Sequence, residues 1–343
     1  MPNVKVCVKD GDGKVALVDM DVADPGPGQA LIRTEVTTIC GSDIHMLDDF
    51  PEIPAGLPMG HEAIGVVEAI GEGVVRLKVG DRIAAACLTS CGTCARCTGG
   101  DPQVCIDHGA PLNLLFGAQA EAFLLNGADY SSAVVPKTAD ARAVLFATDV
   151  MSTGFAAIER AGVTPGDSVA IFAQGPVGLC ATAGAKFHGA EQIFAVESIP
   201  ERVALAKSLG ATEVLDPATA VEEILARTNG LGVDVAVEAL GKQQTLTNCF
   251  AVARMGGTVS SVGVYGSQES VTVPTSGGFY HRNFITTLCP VGTERLTYLI
   301  DLCDSGKVDL TGLLSHKMPL ADIAKAYDMF RGRKDGMIKP ALS

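Results

Sequence analysis

Residues 168–197 read SVAIFAQGPVGLCATAGAKFHGAEQIFAVE. An apolar run over 168–173 has the length and β-branched content of a buried strand, and a glycine-rich turn follows it. The stretch after the turn has helical spacing, with Leu179, Ala183 and Lys186 on it, and a second apolar run ends at Glu197. A strand, a tight turn and a helix in that order present unpaired backbone N–H groups and the positive end of a helix dipole at one point, a natural seat for a pyrophosphate. Gly175, Pro176, Val177 and Gly178 form the turn and the helix start. Gly175 permits close approach of a phosphate, and Gly178 permits close packing of helix on strand. Ala173 stands where the G-x-G-x-x-G fingerprint has its first glycine. Alanine disfavours positive φ, so an altered turn is expected there. Glu197 lies nineteen residues past Gly178 at the end of the next strand. A carboxylate at that place accepts both ribose hydroxyls of NAD and repels a 2′-phosphate, which favours NAD over NADP. Arg202 begins the next helix and is expected to flank the adenine.

The same rhythm continues outward. Apolar strands are expected at 168–173, 192–197, 213–216, 233–239, 257–263 and 284–289, separated by helical stretches such as PERVALAKSLG, AVEEILARTNG and QQTLTNCFAVARMG. That alternation predicts a doubly wound parallel sheet, an α/β fold. Residues 1–148 differ: short alternating runs such as VKVCV, ALIRTEVTTI and AIGVVEAI are broken by PGPG, GEG and VGDR turns. They predict an irregular antiparallel β domain or a partly open barrel. The expected division is 1–148, 149–289 and a segment 290–343 returning to the first domain.

Composition narrows the function. The chain has 343 residues and a formal net charge of −13, with no dense Lys/Arg cluster, so nucleic acid is not an expected partner. No apolar run approaches the ~18–20 residues of a membrane span, and the N-terminus lacks a signal-peptide core. A soluble cytoplasmic protein with no membrane partner is the expectation. Eleven cysteines are many for that compartment, and four of them crowd between positions 91 and 105.

Cys91, Cys94, Cys97 and Cys105 give two successive C-x-x-C steps and a fourth thiol at short range. This donor set suits a tetrahedral Zn²⁺ with no open position, a structural site. A second constellation lies in CGSDIH and GHEAIGVVEAIG: Cys40, Ser42 and His45 in the first, His61 and Glu62 in the second. A catalytic zinc needs about three protein ligands and one open position. Single histidines beside strands are mostly packing residues. Here a thiol, an imidazole and a carboxylate coincide with a zinc lobe and a dinucleotide motif.

The segments CGSDIH, GHEAIGVVEAIG, VGDRI, CGTCARCTGGDPQVC, DVMSTGF, AQGPVGL and the terminal IKP together resemble the zinc-dependent medium-chain alcohol dehydrogenases along essentially the whole chain. The resemblance implies a GroES-like β catalytic domain with a structural-zinc lobe, a Rossmann NAD-binding domain, and two Zn²⁺ per chain. It implies Cys40, His61 and Asp149 as catalytic-zinc ligands, with Glu62 the acid beside the metal. Ser42 and His45 match the family's proton relay. Lys339 falls where the family often has a basic group near the pyrophosphate. Aspartate at 149 resembles the secondary-alcohol branch, whose members commonly lack the four-cysteine lobe that this chain carries.

The activity so implied is hydride transfer from a zinc-bound alkoxide to NAD, interconverting small alcohols and their ketones or aldehydes, with secondary alcohols the first choice. An NAD-containing formaldehyde dehydrogenase or aldehyde dismutase is the alternative, with polyol dehydrogenase less favoured. The run 112–116 (LNLLF), with few aromatics elsewhere, suggests a small apolar pocket wall. A homotetramer is the assembly implied.

Overall fold

The computed structural model describes residues 3–11, 13–107, 114–275 and 278–343. The chain divides into two compact units, Met1–Ser152 with Cys289–Ser343, and Thr153–Leu288. Asp149 therefore belongs to the first unit, on the opposite side of the division from the one drawn at residue 149. The C-terminal segment completes the same unit.

In the second unit the strands Ser168–Phe172, Gln192–Val196, Glu213–Leu215, Val233–Glu238, Ala253–Ser261 and Asn283–Thr286 form one parallel sheet. Its order by first residue is 213, 192, 168, 233, 253, 283. The strand at 192 and the strand at 233 flank the strand at 168 on either side, so the order reverses around the glycine turn that follows it. In open α/β sheets ligands bind at such a switch point. Strand periodicity of two sorts the side chains onto two faces. Val169, Ile171, Ile193, Val235 and Val237 pack with Ala181 and Ala185 of the helix Pro176–Phe187. Ala170, Phe172, Phe194, Val196 and Ala236 pack with Ile224, Leu246 and Phe250 on the other face. Each large apolar side chain buried this way contributes about 1.5–3 kcal/mol.

One boundary departs from the expectation. The helix anticipated through residue 256 ends at Val252, and the strand begins at Ala253. Gly256 has φ +78° within it. Asp234 explains the early strand: it accepts from Arg254 Nε at 2.7 Å and from the Ser168 N–H at 2.7 Å, tying three strands together.

The first unit is a mainly antiparallel β structure. Ala30–Thr37 pairs with Ala63–Ile70 and with Ala122–Leu125, and the sheet extends through Arg82–Ala85 to Ser132–Val134. At its other end Lys339–Leu342 pairs with both Ala30–Thr37 and Leu314–Met318. A hairpin, Asn3–Asp10 with Lys14–Asp21, makes a separate two-stranded sheet. Ile32, Val67, Ile83, Phe123 and Leu125 fill the inside. Among the described residues no single helix is long and apolar enough to cross a membrane.

Candidate zinc and dinucleotide sites

The helix Gly41–Asp48 starts directly after the sheet strand that ends at Thr37. Cys40 precedes its first turn, and its backbone N–H donates to Asp43 Oδ2 at 2.9 Å, a local cap that holds the thiol in place. Gly60, before His61, has φ +92°, and a Cβ there would stand 2.3 Å from Gln119 Cγ. Only glycine lets the chain pass so close to Gln119 in the left-handed region, which is why the histidine is introduced by one. Asp149 sits between the turn Leu145–Thr148 and the helix Val150–Glu159.

These three elements converge. Asp149 Oδ2 accepts from Cys40 Sγ at 3.3 Å and lies 3.3 Å from His61 Nε2. One donor atom each from Cys40, His61, Glu62 and Asp149 falls within a 4.8 Å cluster. Ligands held about 2.0–2.3 Å from a tetrahedral zinc lie roughly 3.3–3.8 Å from one another, so the observed separations fit the ion. Glu62 Oε2 is buried without a hydrogen-bond partner among the described residues, an orphan acceptor of the kind a cation satisfies. Burial disfavours the charged form of Asp149, but His61 outweighs it and holds the carboxyl well below the usual range.

Behind this cluster lies a chain of polar contacts that the sequence reading did not single out. His61 Nδ1 is 3.1 Å from Asp43 Oδ1, and Gln119 Nε2 donates to Asp43 Oδ2 at 3.0 Å. Tyr327 Oη donates to Gln119 Oε1 at 2.8 Å. Such partners set the ring orientation of a ligating histidine and its basicity. The position of Asp43, three residues past Cys40 in CGSDIH, is a capping signal that could have found it; Gln119 and Tyr327 carry no local signal.

Lys339 has a neighbour other than an open surface. It is fully buried, and its Nζ donates to Glu62 Oε1 at 2.6 Å and to Ile39 O at 3.0 Å. Burial alone would lower its pKa, and the Glu62 carboxylate more than reverses that, so the ammonium stays charged. Ser42 Oγ accepts from Cys40 Sγ at 3.7 Å, beside the cluster. His45, one turn on, pairs through Nδ1 with Asp49, and about a quarter of its side chain is exposed (27%). Spacing of three on a helix puts Ser42 and His45 on one face. Of the expected pocket wall, 112 and 113 lie outside the described residues; Leu115 is buried and Phe116 exposed.

The four-cysteine lobe closes on itself. Sγ–Sγ separations are 3.8 Å for Cys91 and Cys97, 3.5 Å for Cys94 and Cys97, and 3.9 Å for Cys94 and Cys105. With Zn–S bonds of about 2.3 Å these are tetrahedral edges. Backbone N–H groups of Cys94 and Thr93 donate to Cys91 Sγ, as expected around thiolates.

In the second unit Gly175 caps the helix Pro176–Phe187, and a Cβ on Gly178 would lie 1.9 Å from Ala173 O. Glycine at 178 is thus required by the close approach of turn and helix. Ala173 corrects the expectation of an altered turn: it takes φ +75°, the left-handed conformation of the glycine it replaces. Hydrogen bonds on both sides impose it. The Ala173 N–H donates to Val196 O at 3.1 Å, and the Gln174 side chain is held by Ile171 O and Thr182 Oγ1. Glu197, at the end of Gln192–Val196, accepts from the N–H groups of Gln174, Ser198 and Ile199 at 3.2, 2.8 and 3.1 Å. Arg202 Nη1 stands 3.8 Å from Glu197 Oε2.

The chain is similar to known proteins over most of its length. Residues 26–137 match the alcohol dehydrogenase GroES-like domain, and residues 176–305 match the zinc-binding dehydrogenase family. An alcohol dehydrogenase of Cupriavidus necator is 39% identical over 96% of each chain. An NADP-dependent isopropanol dehydrogenase of Thermoanaerobacter brockii is 33% identical over 96% of this chain and 97% of its own. The solved zinc dependent alcohol dehydrogenase 2 from Streptococcus pneumonia superposes with a TM-score of 0.91 at 32% identity, covering 99% of this chain and 98% of that one. The chain belongs to the zinc-dependent medium-chain alcohol dehydrogenases. Zinc, a nicotinamide cofactor and a small-molecule alcohol substrate come with that membership.

Proposed function

We propose that this enzyme is NAD-dependent and interconverts small secondary alcohols and their ketones, with zinc held by Cys40, His61 and Asp149. The observation that carries the reading is the convergence of Cys40 Sγ and His61 Nε2 on one oxygen of Asp149, each at 3.3 Å. Bound zinc supplies Lewis acidity toward an alcohol or carbonyl oxygen, and the nicotinamide supplies the hydride acceptor. The chain's own residues do the rest. Ser42, beside Cys40, takes the hydroxyl proton of the substrate, and His45, partly exposed and paired with Asp49, hands it on to water. Lys339 pairs with Glu62 and fixes it next to the ligands. Gly175 to Gly178 seat the pyrophosphate on the helix start, and Glu197 faces the ribose diol: an ionised carboxylate has about four lone-pair directions and three N–H donors leave about one, so it accepts directly from one of the two hydroxyls. The named substrate of the Thermoanaerobacter relative, isopropanol, supports the substrate class.

The test is nicotinamide reduction by the purified protein with a panel of secondary alcohols, polyols and aldehydes, each with and without added NAD. Reduction that requires added NAD and favours secondary alcohols is expected. Aldehyde turnover without added cofactor and without net reduction would move the protein to the dismutase reading. Asp149→Ala should lose the metal and turnover together; retention of both would remove Asp149 from the ligand set. Sedimentation of the purified protein tests the proposed homotetramer.

A further inference from the structure

Two buried thiols of the first unit lie outside everything assigned so far, and both are aimed at the same residue. Cys87 follows the strand Arg82–Ala85, and its N–H donates to Thr148 O at 3.0 Å, which places it beside Asp149. Its carbonyl accepts from the Leu115 N–H at 2.8 Å, so the backbone of Cys87 is held on both sides. Cys289 donates through Sγ to Asp149 O at 3.5 Å. Both cysteines are 3% exposed. The Cys87 and Cys289 sulfurs and a carboxylate oxygen of Asp149 lie within 4.8 Å of one another. Two thiols and a carboxylate, at that separation and in a buried setting, are a donor set for a soft divalent ion such as Zn²⁺ or Cd²⁺. Asp149 is common to this trio and to the Cys40–His61 cluster, and a carboxylate bridging two dications about 3.5–4 Å apart is a familiar arrangement.

We propose that Cys87, Cys289 and Asp149 form a second, inhibitory position for a soft divalent metal ion, sharing the Asp149 carboxylate with the catalytic zinc. The sharing, though not the thiol pair itself, rests on the ligand set given under the proposed function. An ion there draws on an oxygen of Asp149 and adds positive charge beside the first metal. Excess Zn²⁺ or Cd²⁺ therefore inhibits by binding, with no exchange of the resident metal.

The experiment titrates Cd²⁺ into the zinc-loaded protein. Zinc and cadmium per chain are counted after dialysis, and thiolate-to-cadmium charge-transfer absorption and alcohol turnover are followed in parallel. Expected is one cadmium bound with the zinc count unchanged, new thiolate absorption, and loss of turnover. Cys87→Ala and Cys289→Ala, made separately, should each keep the resident zinc and weaken cadmium binding by at least roughly 10–100-fold, the scale on which even supporting partners affect metal affinity. Cys249→Ala removes a buried thiol of the other unit and should leave cadmium binding unchanged. Cadmium replacing zinc one for one, no additional ion in the wild type, or an additional ion that survives both variants overturns the proposal. Failure of the catalytic-zinc reading looks different: Cys40→Ala would then keep its full zinc content, while the cadmium signal still follows Cys87 and Cys289.

Discussion

Lys339 Nζ lies 2.6 Å from Glu62 Oε1, joining two side chains 277 positions apart in the chain, neither more than 1% exposed. Burial pushes the Glu62 carboxyl up to about 7 against the opposing pull of the lysine. Removing one member of a buried pair leaves a desolvated charge with no counter-charge, which typically costs about 3–5 kcal/mol, whereas replacing both is often close to neutral. Lys339→Met should therefore destabilise the zinc-loaded protein by about that amount in denaturant unfolding. Lys339→Met with Glu62→Gln should recover most of the loss. A single variant as stable as the wild type would mean that Glu62 finds its countercharge elsewhere.

The same pair marks where sequence reading stops. The four-cysteine cluster, the Gly175–Gly178 turn and the pairing of Cys40 with His61 were legible because short spacing or a compact motif announces them, whereas Asp149, which the structure places beside that pair, entered only through the family resemblance. Lys339 was expected near a pyrophosphate, since nothing in IKP says that a buried carboxylate waits for it. Gln119 and Tyr327 were silent for a related reason: their role is a chain of contacts assembled only when distant strands and a helix pack together. Cys87 and Cys289 looked like small apolar fillers, and their meeting around Asp149 depends on the two-part first unit. Periodicity placed the parallel strands well, but missed the early start at Ala253, which the Asp234–Arg254 contact decides.

The cysteine lobe offers a test of its own. Four thiols with Sγ–Sγ edges of 3.5–3.9 Å for the closest pairs would close the shell of a tetrahedral zinc, so an ion held there should serve folding and not turnover. Cys97→Ser with Cys105→Ser should lower zinc content by one ion per chain and make residues 91–107 the first site of proteolytic nicking. The zinc that remains should still require Asp149. Loss of both ions from the lobe variant would show that the two sites fold as one.

Ala173 predicts a stabilising change. It holds φ +75°, where the side-chain methyl crowds the following carbonyl. A non-glycine residue in that region costs about 1–2 kcal/mol, and glycine gives back part of the gain through its greater freedom in the unfolded chain. Ala173→Gly should thus raise stability by roughly 0.5–1 kcal/mol in thermal or denaturant unfolding, with cofactor binding kept. A drop in stability would mean that the methyl makes packing contacts worth more than the strain.

The proposed preference for NAD rests on Glu197. Its carboxylate is fixed by N–H donors from Gln174, Ser198 and Ile199 at the end of the strand after the glycine turn. A negative charge held there repels a 2′-phosphate and accepts from a ribose diol. Glu197→Ser removes that repulsion together with the carboxylate that stands 3.8 Å from Arg202 Nη1. The ratio of kcat/KM for NADP to that for NAD should rise at least tenfold, roughly 1.4 kcal/mol of discrimination. Unfolding measurements on the same variant separate this from simple loss of the acceptor for three N–H donors, which would lower stability and weaken both cofactors alike. An unchanged ratio, or a wild type that already prefers NADP, would place the ribose away from Glu197 and align the chain's cofactor use with its NADP-dependent relatives.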